Sequence, residues 1–168
     1  SAWVAGGTVP YRMGNAHPSV FPYEPMPTAD DDLIVAAGND AQFRKLCGVL
    51  EVPGLADDPR FARNADRTVN REELRPLLVE RLATRGAVEW FELLTAAGVP
   101  AGPIQTIDGG FAMAERFGLD PVVTVGEGDR AVPTTRHPVR FSATPAVYRL
   151  PPPRLDEHGA DLRKWLDS

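Results

Sequence analysis

The stretch Asp32-Leu-Ile-Val-Ala-Ala-Gly38-Asn39-Asp40-Ala-Gln-Phe43-Arg-Lys-Leu46-Cys47-Gly-Val-Leu50 decides the fold. An apolar run breaks at a small-residue elbow and resumes with helical spacing. Leu33 to Val35 is too short for an independent helix and reads as a strand. Phe43, Leu46, Val49 and Leu50 recur at three- and four-residue intervals and make one buried stripe. Gly38 allows a sharp exit from the strand, and Asn39 or Asp40 can cap the first backbone N–H groups of the helix. The elbow then gathers N–H donors, the positive end of a helix dipole and a carboxylate. Such a corner can receive a ligand, and it can equally be scaffold.

Working outward, Gly6 to Pro27 holds three glycines and five prolines and reads as an ordered, non-repetitive loop rather than a helix or central strand. Pro53 to Thr68 is loop again. Asn70-Arg-Glu-Glu73 has capping-box spacing and opens a helix with a Leu74, Leu77, Leu78 and Leu82 stripe, bent or delayed by Pro76. A further helix from Ala87 to Ala97 turns Val88, Phe91 and Leu94 inward and ends at Gly98 in a left-handed conformation. The segment from Gly98 to Gln105 is a rigid link into a short strand. Asp108 caps a short helix through Phe117. Val122–Val125, Ala131–Thr134 and Val139–Ser142 read as short strands, and Ala160 to Leu166 as a final helix. The expected fold class is α/β with an α+β tendency, a small domain of short strands and several helices.

With 168 residues and 43% hydrophobic content, the chain is long enough for a core of about one domain, and it has no apolar run of membrane-spanning length. The net charge of −5 argues against a nucleic-acid or anionic-membrane partner. Arginine supplies most of the 18 basic residues, but these are dispersed among acids and read as a solvated surface with a few ion pairs. The lone cysteine, Cys47, excludes an internal disulfide, falls on the apolar side of its helix and fits a reducing, cytoplasmic setting. Ser1-Ala-Trp3-Val-Ala-Gly-Gly reads as the tail of an element that begins outside the chain, which is expected to be part of something longer.

Phosphate-cradling, dinucleotide-binding, nucleophile-elbow and zinc-protease motifs are all absent. His17, His137 and His158 are few and far apart, and two of them precede proline, so they read as loop hydrogen-bonding groups rather than zinc ligands or a triad. Trp3, Trp90 and Trp165 read as packing anchors. Asp30-Asp31-Asp32 and Asp57-Asp58 read as turn and solvent-facing groups rather than a metal loop.

Several stretches taken in order resemble the family III CoA-transferases, the group of formyl-CoA and carnitine CoA-transferases and the related α-methylacyl-CoA racemases. They are Arg12-Met-Gly14-Asn15-Ala-His17-Pro18 with Pro22-Tyr23, then Ala37-Gly-Asn39-Asp40-Ala-Gln42-Phe43, then Asp58-Pro-Arg60-Phe61 with Arg67 and Asn70-Arg71. Gly98-Val-Pro-Ala-Gly-Pro103, His137-Pro138-Val-Arg-Phe141-Ser142 and Leu155-Asp-Glu-His158 follow. The last departs from the family's Leu-Gly-Glu-His at Asp156.

The resemblance implies the carboxy-terminal part of such an enzyme. Residues 1–28 would be a linker and substrate loop from a large domain outside this chain, 29–135 a small α/β domain, and 136–168 a segment returning to the large domain. It also implies a nucleophilic aspartate upstream, so no catalytic residue in this chain. The aspartate attacks an acyl-CoA thioester to form a mixed anhydride, CoA thiolate converts this to an aspartyl-CoA thioester, and a carboxylate acceptor collects the CoA. Gly14 and Asn15 match the family's glycine-containing substrate loop, and Gly38, Asn39 and Asp40 a second loop over the substrate. The implied partners are acyl-CoA, a carboxylate and a second subunit in an interlocked homodimer. No cofactor is implied beyond the coenzyme A thioester substrate, and no metal. Asp40 would be a proton-transfer acid in the racemase alternative. A non-catalytic interaction domain is a third reading.

Overall fold

The computed structural model describes residues 2–7 and 9–168, with the side chain of Ala2 also left aside; Ser1 and Thr8, within the expected 1–28 linker, lie outside the described residues. The chain divides into two compact units, residues 1–104 and 105–168. This division falls elsewhere than the boundaries drawn from sequence after residues 28 and 135.

The first unit runs α1 (Ala2–Gly6), β1 (Tyr23–Pro27), β2 (Asp32–Ala36), α2 (Asp40–Val49), a 3-10 turn (Pro53–Ala56), α3 (Asn64–Val69), α4 (Arg71–Leu82), α5 (Ala87–Ala96) and β3 (Ala101–Pro103). Its sheet has the order β1-β2-β3 and is antiparallel throughout, pairing Met26 with Leu33 and Leu33 with Pro103. Leu33 and Val35 face the core, and Ile34 between them is 39% exposed, the alternation of a half-buried strand.

Tyr23–Pro27 corrects the reading of loop up to Pro27. Prolines at 25 and 27 are compatible with a strand because β1 lies at the sheet edge. The Tyr23 carbonyl turns away from β2 to accept from His17 N at 2.9 Å. Pro25 and Pro27 share that outward side, where a missing N–H loses no ladder bond.

The core joins Met26, Leu33 and Val35 of the sheet to Phe43 and Leu46 of α2, Leu74, Leu78 and Leu82 of α4, and Trp90 and Leu94 of α5. The α4 stripe of Leu74, Leu78 and Leu82 is buried as expected except at Leu77, and the α5 stripe rotates. On α4, Leu77 is exposed; on α5, Ala87, Trp90 and Leu94 are buried whereas Val88 is exposed. On α5 the deep position goes to the large Trp90 ring, whose Nε1 donates to the Leu82 carbonyl at 2.8 Å. Trp3 and Trp165 are exposed and do not anchor packing. The Asn70 capping box does not form: Asn70 Nδ2 donates to the Arg60 carbonyl and Glu73 pairs with Arg60. Asp30 is more than a turn group, since its carboxylate accepts from Ala87 N at 2.8 Å, capping α5 from outside the helix. Gly98 ends α5 at φ +74 as expected.

The Arg67 side chain is fully buried. Its Nε donates to the Phe21 carbonyl at 2.7 Å, its Nη1 to the Phe61 and Ala62 carbonyls, and its Nη2 to Asp40 at 2.8 Å, with the guanidinium over the Phe43 ring. Every polar hydrogen of a charge taken out of water needs such a partner.

The second unit contains α6 (Ile107–Arg116), β4 (Val122–Val125), a 3-10 turn (Gly128–Arg130), β5 (Val132–Thr135) and α7 (Gly159–Leu166). β4 and β5 form an antiparallel hairpin, and the strand expected at Val139–Ser142 does not form. Thr106, not Asp108, caps α6 by accepting from Gly109 N. Val125 is its one buried hydrophobic residue among those described. Polar staples hold this unit. Glu157 accepts from Arg130 at 2.7 and 3.1 Å and from Arg154 N at 2.7 Å, and these bonds, the guanidinium's first, hold its carboxyl down at about 2. Asp156 adopts φ +58, a left-handed conformation that glycine takes freely and aspartate tolerates, consistent with the glycine that the resemblance implies at this place.

Two outcomes are expected. Arg67→Met leaves the Phe21, Phe61 and Ala62 carbonyls unpaired and should destabilise the first unit by at least about 1–3 kcal/mol in denaturant unfolding. Since the Glu157 pKa in the folded chain lies below its ordinary 4.5, the stabilisation it gives is complete above about 4.5 and is lost as pH falls through about 2. An NMR titration should show this low midpoint, and Arg130→Gln should return it towards 4.5.

Candidate functional site

All five residues singled out from sequence lie in the first unit, on two separate surface segments. The first is the elbow between β2 and α2. Asn39, in extended backbone, caps α2 by accepting from Gln42 N at 2.9 Å, while Gln42 Oε1 accepts from Gly38 N at 2.8 Å. The reciprocal pair shows in the sequence as Asn and Gln three positions apart, close to capping-box spacing. Of the two cap candidates, Asn39 is the one used.

Gly38 does not occupy the left-handed region, and a Cβ there would meet only Gln42 Oε1, at 3.4 Å. The sharp exit from the strand therefore makes no conformational demand on Gly38. Asp40 turns its Oδ1 to Arg67 Nη2 at 2.8 Å and to Asn64 N at 2.9 Å, with its side chain half exposed. The N–H groups of Asp40 and Ala41 belong to the first turn of α2, which has no acceptor within the helix, and these are the donors the elbow offers.

The second segment is the loop before β1. Gly14 takes φ +61, a conformation that favours glycine, in a turn closed by Ala16 N donating to the Met13 carbonyl at 3.2 Å. Asn15 lines an open cleft of about 510 Å³ together with Tyr11, Met13, Glu24, Arg71 and Arg75. Glu24, buried on the core face of β1, pairs with Arg75 Nε at 2.7 Å and lies 3.8 Å from Arg71 Nη1. Arg71 Nη2 donates to the His17 carbonyl at 2.7 Å, and the His17 ring stacks on Tyr23. His17 and His137 both use Nδ1 within their own loops, towards Ser19 N and Val139 N.

No hydrogen bond among the described residues joins Gly14 or Asn15 directly to Gly38, Asn39 or Asp40. The connection runs through α3 and α4. Asn64 accepts from Phe21 N and donates to the Ser19 carbonyl, Arg67 reaches both the Phe21 carbonyl and Asp40, and Arg71 holds His17. Sequence reasoning placed Arg67 and Arg71 only as marks of resemblance and passed over Asn64. The available signal was the three-residue spacing of Asn64 and Arg67 on α3; Arg71 lies on α4, past the break at Asn70.

Two other groups resolve as structural. Burial pushes the Cys47 thiol up to about 12, which keeps it protonated at neutral pH and unfit as a nucleophile. Asp58 accepts from Arg60 Nε and Nη2 and from Arg60 N, bonds that hold its carboxyl below the usual range and lock the Asp58-Pro-Arg60-Phe61 turn.

No helix among the described residues is long and apolar enough to cross a membrane. The chain is 39% identical to a succinate–glutarate CoA-transferase of Agrobacterium fabrum over 99% of its own length and 42% of the relative's. It is 34% identical to an acetyl-CoA:oxalate CoA-transferase of Acetobacter aceti, covering 96% of this chain and 41% of that protein. It thus spans about two fifths of the length of these curated relatives. The crystal structure of a CAIB/BAIF family protein from Brucella suis superposes with a TM-score of 0.73 at 39% identity, over 98% of this chain and 43% of that one. Residues 1–159 match CoA-transferase family III, and with both the sequence motifs and the fold in agreement, the chain belongs to that family.

Proposed function

We propose that this chain is the carboxy-terminal part of an enzyme that moves CoA between an acyl-CoA thioester and a carboxylic acid. The observation that carries the reading is the family match over residues 1–159, joined by relatives that transfer CoA. In this proposal an aspartate in an upstream large domain attacks the thioester carbonyl, CoA thiolate leaves, and a mixed anhydride forms. The thiolate then attacks the aspartyl carbonyl, releasing the donor acid, and the acceptor carboxylate repeats the exchange in reverse. Each attack creates an oxyanion that needs fixed N–H donors, and the first turn of α2 at Asp40 and Ala41 provides them on a surface with no bulky side chain at Gly38. Gly14 and Asn15 would close over the carboxylate from the cleft side. The return of residues 136–168 to the large domain, a homodimer and a cytoplasmic setting belong to the same proposal.

The racemase alternative would need Asp40 to exchange a proton with an α-carbon. Asp40 already engages Arg67 and Asn64 through Oδ1, an arrangement suited to fixing the elbow. Loss of deuterium from an α-methyl acyl-CoA would mark the racemase instead.

The complete protein should transfer CoA from succinyl-CoA to a dicarboxylate, followed by chromatography of the thioesters, whereas residues 1–168 alone should not. Turnover by the isolated chain at an enzyme's usual rate of about 1 s⁻¹ or more would refute the upstream nucleophile. A second outcome separates site from scaffold. Gly38 has ordinary backbone and open space, so Gly38→Val should change stability by only about 0.5 kcal/mol, yet reduce turnover of the complete enzyme by at least about tenfold. Asn39→Ala should act in the same direction and lower stability by about 0.5–2 kcal/mol through the lost cap. Turnover near that of the unsubstituted enzyme in both variants would make the elbow scaffold.

A further inference from the structure

We propose that Asn64, Arg67 and Arg71 are positioning residues: a clamp built from α3 and the start of α4 that holds the Gly14–Asn15 loop and the Gly38–Asp40 elbow in a fixed relation. The inference deepens the CoA-transfer reading, since it concerns how that site keeps its shape. Three observations carry it. The three side chains stand on consecutive helices, Asn64 and Arg67 on α3 and Arg71 at the start of α4 just past the break at Asn70, so one short stretch of chain addresses both segments. Each bonds backbone rather than a neighbouring surface group: Asn64 takes Phe21 N at 3.1 Å and Ser19 O at 2.8 Å, Arg67 takes Phe21 O at 2.7 Å, and Arg71 takes His17 O at 2.7 Å. At the other end, Asn64 N and Arg67 Nη2 converge on the same oxygen of Asp40, at 2.9 and 2.8 Å.

An apolar side chain in place of Arg67 would fill the volume without burying a charge, but it would leave three carbonyls unpaired and could not register them against a carboxylate. Arg71 extends the clamp to the wall of the cleft, where it lies over the Phe21 ring and lines the space beside Asn15. The loop's other ordering contacts are short-range or to β1: Ala16 N to the Met13 carbonyl, His17 N to the Tyr23 carbonyl, and the His17 ring on Tyr23, while Gly14 and Asn15 are exposed. Without the clamp the two segments would move independently, and a substrate bridging them would meet a dispersed geometry.

Arg71→Met is the decisive variant, because Glu24 keeps its closer partner Arg75 and the methionine can still cover the Phe21 ring with apolar contact. Amide exchange, measured by mass spectrometry on the complete protein, should rise about tenfold or more over residues 13–19 and stay within about twofold over β2 and α4. In the same protein kcat should fall about tenfold, with KM for the carboxylate changing less, and Arg71→Lys should recover part of kcat by restoring one donor. Asn64→Ala should loosen residues 19–21 in the same way. Unchanged exchange over residues 13–19 would overturn the clamp. So would a loosened loop with kcat and KM both within twofold of the parent enzyme. If the parent protein transfers no CoA at all, the proposed function fails, and the exchange comparison then decides the clamp by itself.

Discussion

The buried guanidinium of Arg67 is the constraint on which the first unit depends. Removing an arginine side chain from water is unfavourable unless each donor is met, and here four acceptors from separate parts of the chain meet it: Phe21, Asp40, Phe61 and Ala62. Hydrophobic burial alone is non-directional and would tolerate a range of loop placements. A planar guanidinium is not so permissive, and its fork geometry fixes the approach to β1, the start of α2 and the turn before α3 at once. Phe43 and Phe21, both buried, then pack around the ring of contacts that the charge has set.

The same constraint explains why the sheet can be small. Three short strands of five, five and three residues bury one face only, and such a sheet is marginal without a covering layer. Leu74, Leu78 and Leu82 of α4 and Trp90 and Leu94 of α5 provide the layer. At the end of the sheet nearest the loop, Glu24 takes a core-facing position that would otherwise hold an apolar side chain, and Arg75 with Arg71 offsets its charge. Core and site are therefore built from the same helix: one face of α4 supplies leucines to the sheet, and arginines at its start reach the loop.

Legibility followed periodicity. The Leu33–Val35 strand, the α2 stripe of Phe43 and Leu46, the Gly98 terminator and the α7 helix were readable because each carries a local signal of alternation, helical spacing or backbone freedom. What failed was decided by tertiary contact. Asn70 has the composition of a cap but is drawn to the Arg60 carbonyl, and Asp30 caps α5 from far away in sequence, which no local pattern can encode. Trp90 displaced the expected stripe because ring volume outweighed the placement of Val88. Tyr23–Pro27 was hidden by its prolines, whose tolerance depends on which strand becomes the edge. At the candidate site, Gly14 with its positive φ and Asn39 as cap were legible, whereas the freedom of Gly38 and the occupation of Asp40 by Arg67 needed coordinates.

The second unit shows what the first would be without such a core. Its two strands form where the sequence places short strands, yet Val125 is the one hydrophobic residue they bury, and α6 and α7 keep Ile107, Leu162 and Trp165 exposed. A segment of this size cannot gain enough from apolar burial to offset its own ordering entropy by a wide margin. Its order rests instead on charge-assisted bonds such as Arg130 to Glu157 and Arg136 to the Asp120 carboxylate and carbonyl. Bonds of that kind are directional but screened by salt and exposed to water, so they select a conformation more effectively than they stabilise it. The two units thus use charge in opposite ways: one buries a guanidinium inside a packed core to set register, and the other spreads ion pairs over a surface where packing is sparse.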